Sequence, residues 1–198
     1  MLRRALPLLA LPLLDLSALA RADGLLTTEQ AMALLAPPAP GLNIYMRHSI
    51  TDRSQADTGR LHDRAGQRNL SPAGEALARA LGEGLRRRGV QVAEALTSPV
   101  YRAQDTARLA FGDARIHPAL VADDYAHRDP AQDAAEVSAL LARPAPGHRV
   151  MVGHIVPLGL ILGRGLSQAE FPEGSLALFL PDSGRWRHLG VVRAEALT

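Results

Sequence analysis

Arg47 and His48 are adjacent, and Arg102 and His154 follow at intervals of about fifty residues. These are the residue types that handle phosphate. A guanidinium presents a fixed fork of N–H donors that matches phosphoryl oxygens in pairs, and imidazole can add a donor or act as the attacking nitrogen. Phosphoryl transfer without a metal needs positive charge around the equatorial oxygens and a nucleophile in line with the leaving oxygen. Other chemistries are excluded at once. The 198 residues contain no cysteine, so there is no thiolate nucleophile, zinc-thiolate site or iron–sulfur ligand. His117, His127, His148 and His188 have no histidine or carboxylate partner at metal-ligand spacing, so no metal and no cofactor is expected.

The elements that must position these side chains read as an alternation. Residues 42–46 form a short strand running into Arg47-His48. Ser71 caps and Pro72 opens a helix whose Leu77, Leu81 and Leu85 share a face until Gly89. Residues 92–97 predict a strand, 99–110 a helix stopped by Gly112, 115–116 a short extended piece, and 131–142 a helix. A buried strand at 149–152 runs into Gly153-His154, and a short helix at 157–162 follows. Strands at 175–180 and 186–192 flank the turn sequence Pro181-Asp182-Ser183-Gly184. The fold class is therefore α/β, a three-layer α/β/α sandwich with a mostly parallel central sheet. Ligands of such sheets bind beyond the carboxyl ends of the strands, where Arg47-His48, Ser98–Arg102 and Gly153-His154 all fall.

The motifs Ile44-Tyr45-Met46-Arg47-His48-Ser49, Leu96-Thr97-Ser98-Pro99-Val100-Tyr101-Arg102-Ala103-Gln104-Asp105-Thr106-Ala107 and Val150-Met151-Val152-Gly153-His154 resemble the histidine phosphatase superfamily, the phosphoglycerate-mutase-like proteins. The stretch Gln67-Arg68-Asn69-Leu70-Ser71-Pro72-Ala73-Gly74 also resembles that family's approach to its first long helix. The resemblance spans 42–192 and implies a phosphatase-type enzyme in which His48 is the phosphorylated nucleophile. Arg47, Arg102 and His154 would complete the phosphate pocket. Ser49 stands where the family's most familiar residue is glycine. The resemblance also implies a carboxylic acid between the second and third motifs to protonate the leaving group. Asp124 is favoured over its neighbour Asp123, with Asp129 and Asp133 further off. Arg53, five residues beyond the nucleophile, is the candidate for a further phosphate-binding arginine. Arg60, His62, Arg64 and Arg68 share its long loop but read as solvated charges balanced by Asp52, Asp57 and Asp63.

Residues 1–22 have the pattern of a secretory signal: Arg3-Arg4, an apolar run at 5–14, and Ala20-Arg21-Ala22 before Asp23. Asp15, Pro7 and Pro12 break that run, short of the about 20 apolar residues needed to span a bilayer. The leader holds three of the 22 arginines and one of the 20 acids, leaving 19 of each and no net charge in the remainder. No nucleic acid and no membrane partner follow from such a balance. Residues 23–41 are expected to be a helix and proline-rich linker, and 42–198 the catalytic domain. The expected activity is phosphomonoester hydrolysis of a small molecule in the periplasm or outside the cell. A phosphomutase of the same fold and a non-catalytic phosphate-binding module are the alternatives.

Overall fold

Strand β1 (Asn43–Arg47) is buried at every position, as a strand covered by helices on both faces must be. The computed structural model describes residues 24–37 and 40–198, so the leader read at 1–22 and part of the linker lie outside the described residues. β1 pairs in parallel with β4 (His148–Gly153), which pairs in parallel with β2 (Val92–Thr97), and β2 with the short β3 (Arg115–Ile116). On the other side of β1 lie β5 (Leu176–Asp182) and β6 (Arg185–Val192), both antiparallel to their neighbours, giving the order β3-β2-β4-β1-β5-β6. The turn between β5 and β6 is only Ser183-Gly184, both at positive φ (49° and 79°), a two-residue hairpin turn whose twist suits the flanking strands.

Alternation along the strands sorts their side chains into two cores. Ile44, Met46, Val150, Val152, Leu176 and Leu178 face one side, where they meet α1 (Thr28–Leu35), α2 (Pro72–Arg87) and α3 (Tyr101–Phe111). Tyr45, Met151, Ala177 and Phe179 face the other, against α4 (Pro130–Leu141) and α5 (Ile155–Leu162). The result is the three-layer sandwich that the sequence predicts. Helix α2 starts as expected, with the Ser71 hydroxyl accepting from the Gly74 amide. Asp129 caps α4 in the same way, and Gly163 in the left-handed region (φ 70°) ends α5.

The core begins earlier than residue 42. Leu26, Ala31, Leu34 and Leu35 enter the same apolar cluster as Ile44 and Met46, so α1 is an integral part of the helical layer. His148 fixes it there. Its Nε2 lies 2.8 Å from the Leu35 carbonyl, and its Nδ1 accepts from the Leu42 amide at 3.1 Å. No pattern along the sequence exposes such a bridge, because the helix and strand it joins lie more than a hundred positions from the histidine.

Candidate active site

Because β2, β4 and β1 are neighbours, their carboxyl ends open side by side: Arg47 is in register with Gly153, and Thr97 with Val152. His48 and His154 therefore leave the sheet next to one another, with ring centroids 5.3 Å apart. Arg102 reaches the same place from the first turn of α3. All four side chains are about 3% exposed, so their charges and dipoles act in a largely water-free setting.

Each group is held by its own contacts. The His48 amide donates to the Gly153 carbonyl, and its Nδ1 lies 2.9 Å from the Ser49 carbonyl. A carbonyl can only accept, so Nδ1 carries the hydrogen and Nε2 is the bare nitrogen. Burial first, then the charge of Arg102, pushes the His48 pKa well below its ordinary value, so the ring is neutral. His154 is held neutral by the same two causes, and its Nε2 lies 2.8 Å from the Ser98 hydroxyl. Below it the Tyr45 hydroxyl clamps the His154 backbone, accepting from its amide and donating to its carbonyl. Tyr45 passes under Gly153 so closely that a Cβ there would come within 2.2 Å of its oxygen, which is why glycine precedes the histidine. Arg47 donates through one terminal nitrogen to the Gln168 side chain and the Phe171 carbonyl, both at 2.7 Å. Burial pushes its pKa down to about 10, well above neutrality, so it remains a cation.

Four buried N–H groups of these side chains make no hydrogen bond, Nε of Arg47, Arg68 and Arg102 and Nδ1 of His154, and of these Arg68 Nε lies 3.9 Å from an Asp57 carboxylate oxygen. Unsatisfied buried donors are costly, and a group of them in one place fits an acceptor-rich anion. Asp124 stands at the edge, half-exposed, with a carboxylate oxygen 4.0 Å from Arg102. Burial raises its pKa, and the nearby Asp57 and Asp123 add to the rise against the pull of Arg102. Asp123 is exposed. Asp129 caps α4, and Asp133 is paired with Arg128, so both are engaged elsewhere.

Arg53 is placed differently from the sequence reading. Its side chain is largely exposed and paired at 3.1 Å with Glu173, which also accepts from Thr51. Arg68, read from the sequence as a solvated charge, has its Nε buried, and its positive charge bears on Arg47, His48 and His154 alike. Asp57, read in the same way, accepts from Arg102 at 2.9 Å, from the Tyr125 hydroxyl at 2.6 Å and from the Arg68 amide at 2.9 Å. The one sequence signal for Arg68 was its place in the 67–74 stretch. Among the described residues, no group of three or more histidines and carboxylates is arranged to hold a metal ion.

A neutral histidine with a bare Nε2, beside buried arginines at the carboxyl end of the parallel strands, is chemically suited to receive a phosphoryl group. The model of the histidine phosphatase superfamily (branch 1) matches residues 44–124, from β1 through Asp124. Solved structures of the same fold include the protein histidine phosphatase SixA complexed with tungstate, 19% identical, with a TM-score of 0.57, covering 79% of this chain and 99% of that one. A phosphoserine phosphatase from Entamoeba histolytica is 13% identical, with a TM-score of 0.59, over 80% of this chain and 100% of that one. A mycobacterial glucosyl-3-phosphoglycerate phosphatase is 20% identical, with a TM-score of 0.52, over 75% and 96%. No curated protein sequence matches the chain.

Proposed function

We propose that the chain is a metal-independent phosphomonoester hydrolase that works through a phosphohistidine on His48. The observation that carries this reading is a buried histidine, its Nε2 free of its own proton, on which the charges of Arg102, Arg47 and Arg68 bear and beside which the His154 ring lies at 5.3 Å. In the first step the Nε2 lone pair attacks phosphorus, the bond to the ester oxygen breaks, and the leaving oxygen takes the proton of the Asp124 carboxyl. The guanidinium groups of Arg47, Arg102 and Arg68 and the His154 ring hold the three oxygens of the transferring group. In the second step Asp124, now ionised, takes a proton from water. The water oxygen bonds to phosphorus, the P–N bond breaks, and its electron pair returns to Nε2 with release of phosphate. That the fold is shared with phosphatases of phosphoserine, of glucosyl-3-phosphoglycerate and of histidine-phosphorylated protein supports hydrolysis of a phosphoryl bond without selecting the substrate.

Purified protein is expected to hydrolyse p-nitrophenyl phosphate in the presence of a chelator, and His48→Ala to abolish turnover. Turnover that survives the substitution rules out His48 as nucleophile. The Ala20-Arg21-Ala22 site further supports export with cleavage before Asp23. The mature N-terminus, read by mass spectrometry from cells, is the check.

A further inference from the structure

We propose that Ser98 is a positioning residue that sets the tautomer of His154, fixing its proton on Nδ1 so that the ring donates to the bound phosphoryl group. The inference rests on the phosphate pocket described above and concerns a side chain that does not itself touch the substrate. Ser98 is fully buried at the end of β2 and turns its hydroxyl toward His154, with Oγ 2.8 Å from Nε2. The same oxygen accepts the Val100 amide at 3.2 Å. It is free to do so from that residue because Pro99, between them, has no amide hydrogen.

Two arrangements satisfy the short Oγ···Nε2 contact, and proton counting separates them. In one, His154 carries its hydrogen on Nε2 and donates to Ser98. The serine oxygen then receives two donors, and its own hydrogen is left without an acceptor in a fully buried position. His154 Nδ1 would also be a bare lone pair turned into a cluster meant for an anion. In the other, the serine hydroxyl donates to Nε2 while its oxygen accepts from Val100. Every Ser98 group is used once, and Nδ1 carries the hydrogen as a buried donor with no protein partner. The second arrangement leaves a single unsatisfied group, and that group is the one a phosphoryl oxygen would satisfy.

The two histidines thereby take opposite roles from opposite anchors. A carbonyl, which can only accept, holds Nδ1–H of His48 and bares Nε2 for attack. A hydroxyl, which can give, holds Nε2 of His154 and leaves Nδ1–H to bind. Because the pair is also kept neutral by burial and by the arginines, the hydrogen on His154 stays a hydrogen-bond donor whose side is chosen by Ser98.

The test uses the full chain, 15N-labelled at histidine, with His154→Gln assigning the His154 signals. Wild type is expected to show Nδ1 as the protonated nitrogen and Nε2 as the bare one. Ser98→Ala is expected to populate the Nε2–H form, to weaken orthovanadate binding about tenfold, and to lower kcat by roughly ten- to hundredfold, as for loss of one preorganised donor. Ser98→Thr, which restores a hydroxyl, is expected to recover the wild-type nitrogen pattern. An Nε2–H ring in wild type, or an unchanged Nδ1–H ring and unchanged vanadate affinity in a folded Ser98→Ala, overturns the proposal. The nitrogen pattern is read without turnover. A wild type that binds no vanadate and hydrolyses no ester therefore counts against the proposed function, whereas the tautomer result counts for or against Ser98 alone.

Discussion

Asp57 and Asp124 both approach the guanidinium of Arg102, at 2.9 and 4.0 Å, yet their protons are held in opposite ways. Burial raises the pKa of Asp57, but hydrogen bonds from Tyr125, the Arg68 amide and Arg102 together outweigh it and keep the carboxylate ionised. Asp57 is thus a fixed counter-charge that braces Arg102. Asp124 has no such set of donors, and burial with the charges of Asp57 and Asp123 moves its pKa upward. A raised pKa lets a carboxyl give a proton and take one back nearer neutral pH. The form that donates is the protonated one, so turnover should fall as pH rises through the raised Asp124 value. His48 acts as its neutral form and its pKa is depressed, so it keeps its function as pH falls below the ordinary histidine range. The optimum is accordingly expected on the acid side of neutrality. Asp124→Asn should lower kcat for an alkyl phosphate by roughly 100-fold, hardly affect p-nitrophenyl phosphate, whose leaving group needs no proton, and abolish the basic limb of the profile. Equal losses on both esters would assign the acid elsewhere.

At the scale of elements, the loop behind the nucleophile is held by the first turn of α2. The Ser49 hydroxyl donates to the Gly74 carbonyl at 2.7 Å, the Ser49 amide donates to the Thr106 hydroxyl of α3, and a Cβ at Gly74 would come within 1.9 Å of the Ile50 carbonyl oxygen. Gly82, two turns along α2, is equally tight: its Cβ would lie 2.0 Å from the Ala110 oxygen, at the crossing with α3. Alanine at either position forces backbone apart and should cost about 2 kcal/mol, within the usual range for overpacking. Only Gly74→Ala should also depress kcat at a temperature where both variants are folded, because only that contact bears on Ser49 and His48. Matching activities in the two folded variants would deny the link. The same contrast explains what could be read from sequence. Arg47, His48, Arg102 and His154 follow regular elements whose periods and caps are local, so their shared location follows from the strand order. Arg68 and Asp57 sit in the irregular 49–70 connection. There the chain is shaped by long-range contacts such as the Gln67 side chain, which donates to the Arg60 and Leu61 carbonyls and accepts from the Tyr101 amide. Nothing periodic marks such contacts, so the sequence favours Arg53, which the structure places in an exposed pair with Glu173, over Arg68, whose Nε is buried. The link from α1 through His148 was hidden for the same reason.

For the molecule as a whole, the site has a cost that appears in its pH stability. Two imidazoles are buried in their neutral form beside arginines, and both are harder to protonate in the folded state than at their ordinary value of 6.5. Above that value neither state binds the protons and the pair contributes no pH dependence. Below it the unfolded chain takes up protons that the folded chain refuses, so stability falls as pH falls, by up to about 2.7 kcal/mol per pH unit for two protons, until the depressed folded values are reached. Asp124 acts in the opposite sense, since its raised pKa lets the folded state bind a proton first, and it offsets part of the loss at lower pH. Asp57, held ionised, contributes stability that is present above the ordinary value of 3.8 and is lost as pH falls through its lowered one. The histidine effect should therefore be separable just below pH 6.5. Urea unfolding of wild type is expected to show the midpoint decreasing steeply in that interval, whereas the His48→Gln, His154→Gln double variant should be nearly flat there and more stable than wild type at the acid end. The same decrease in wild type and double variant would place the proton uptake on other groups. A stabilised but inactive double variant would show that the pocket gives up folding stability to keep one ring able to attack and the other able to donate.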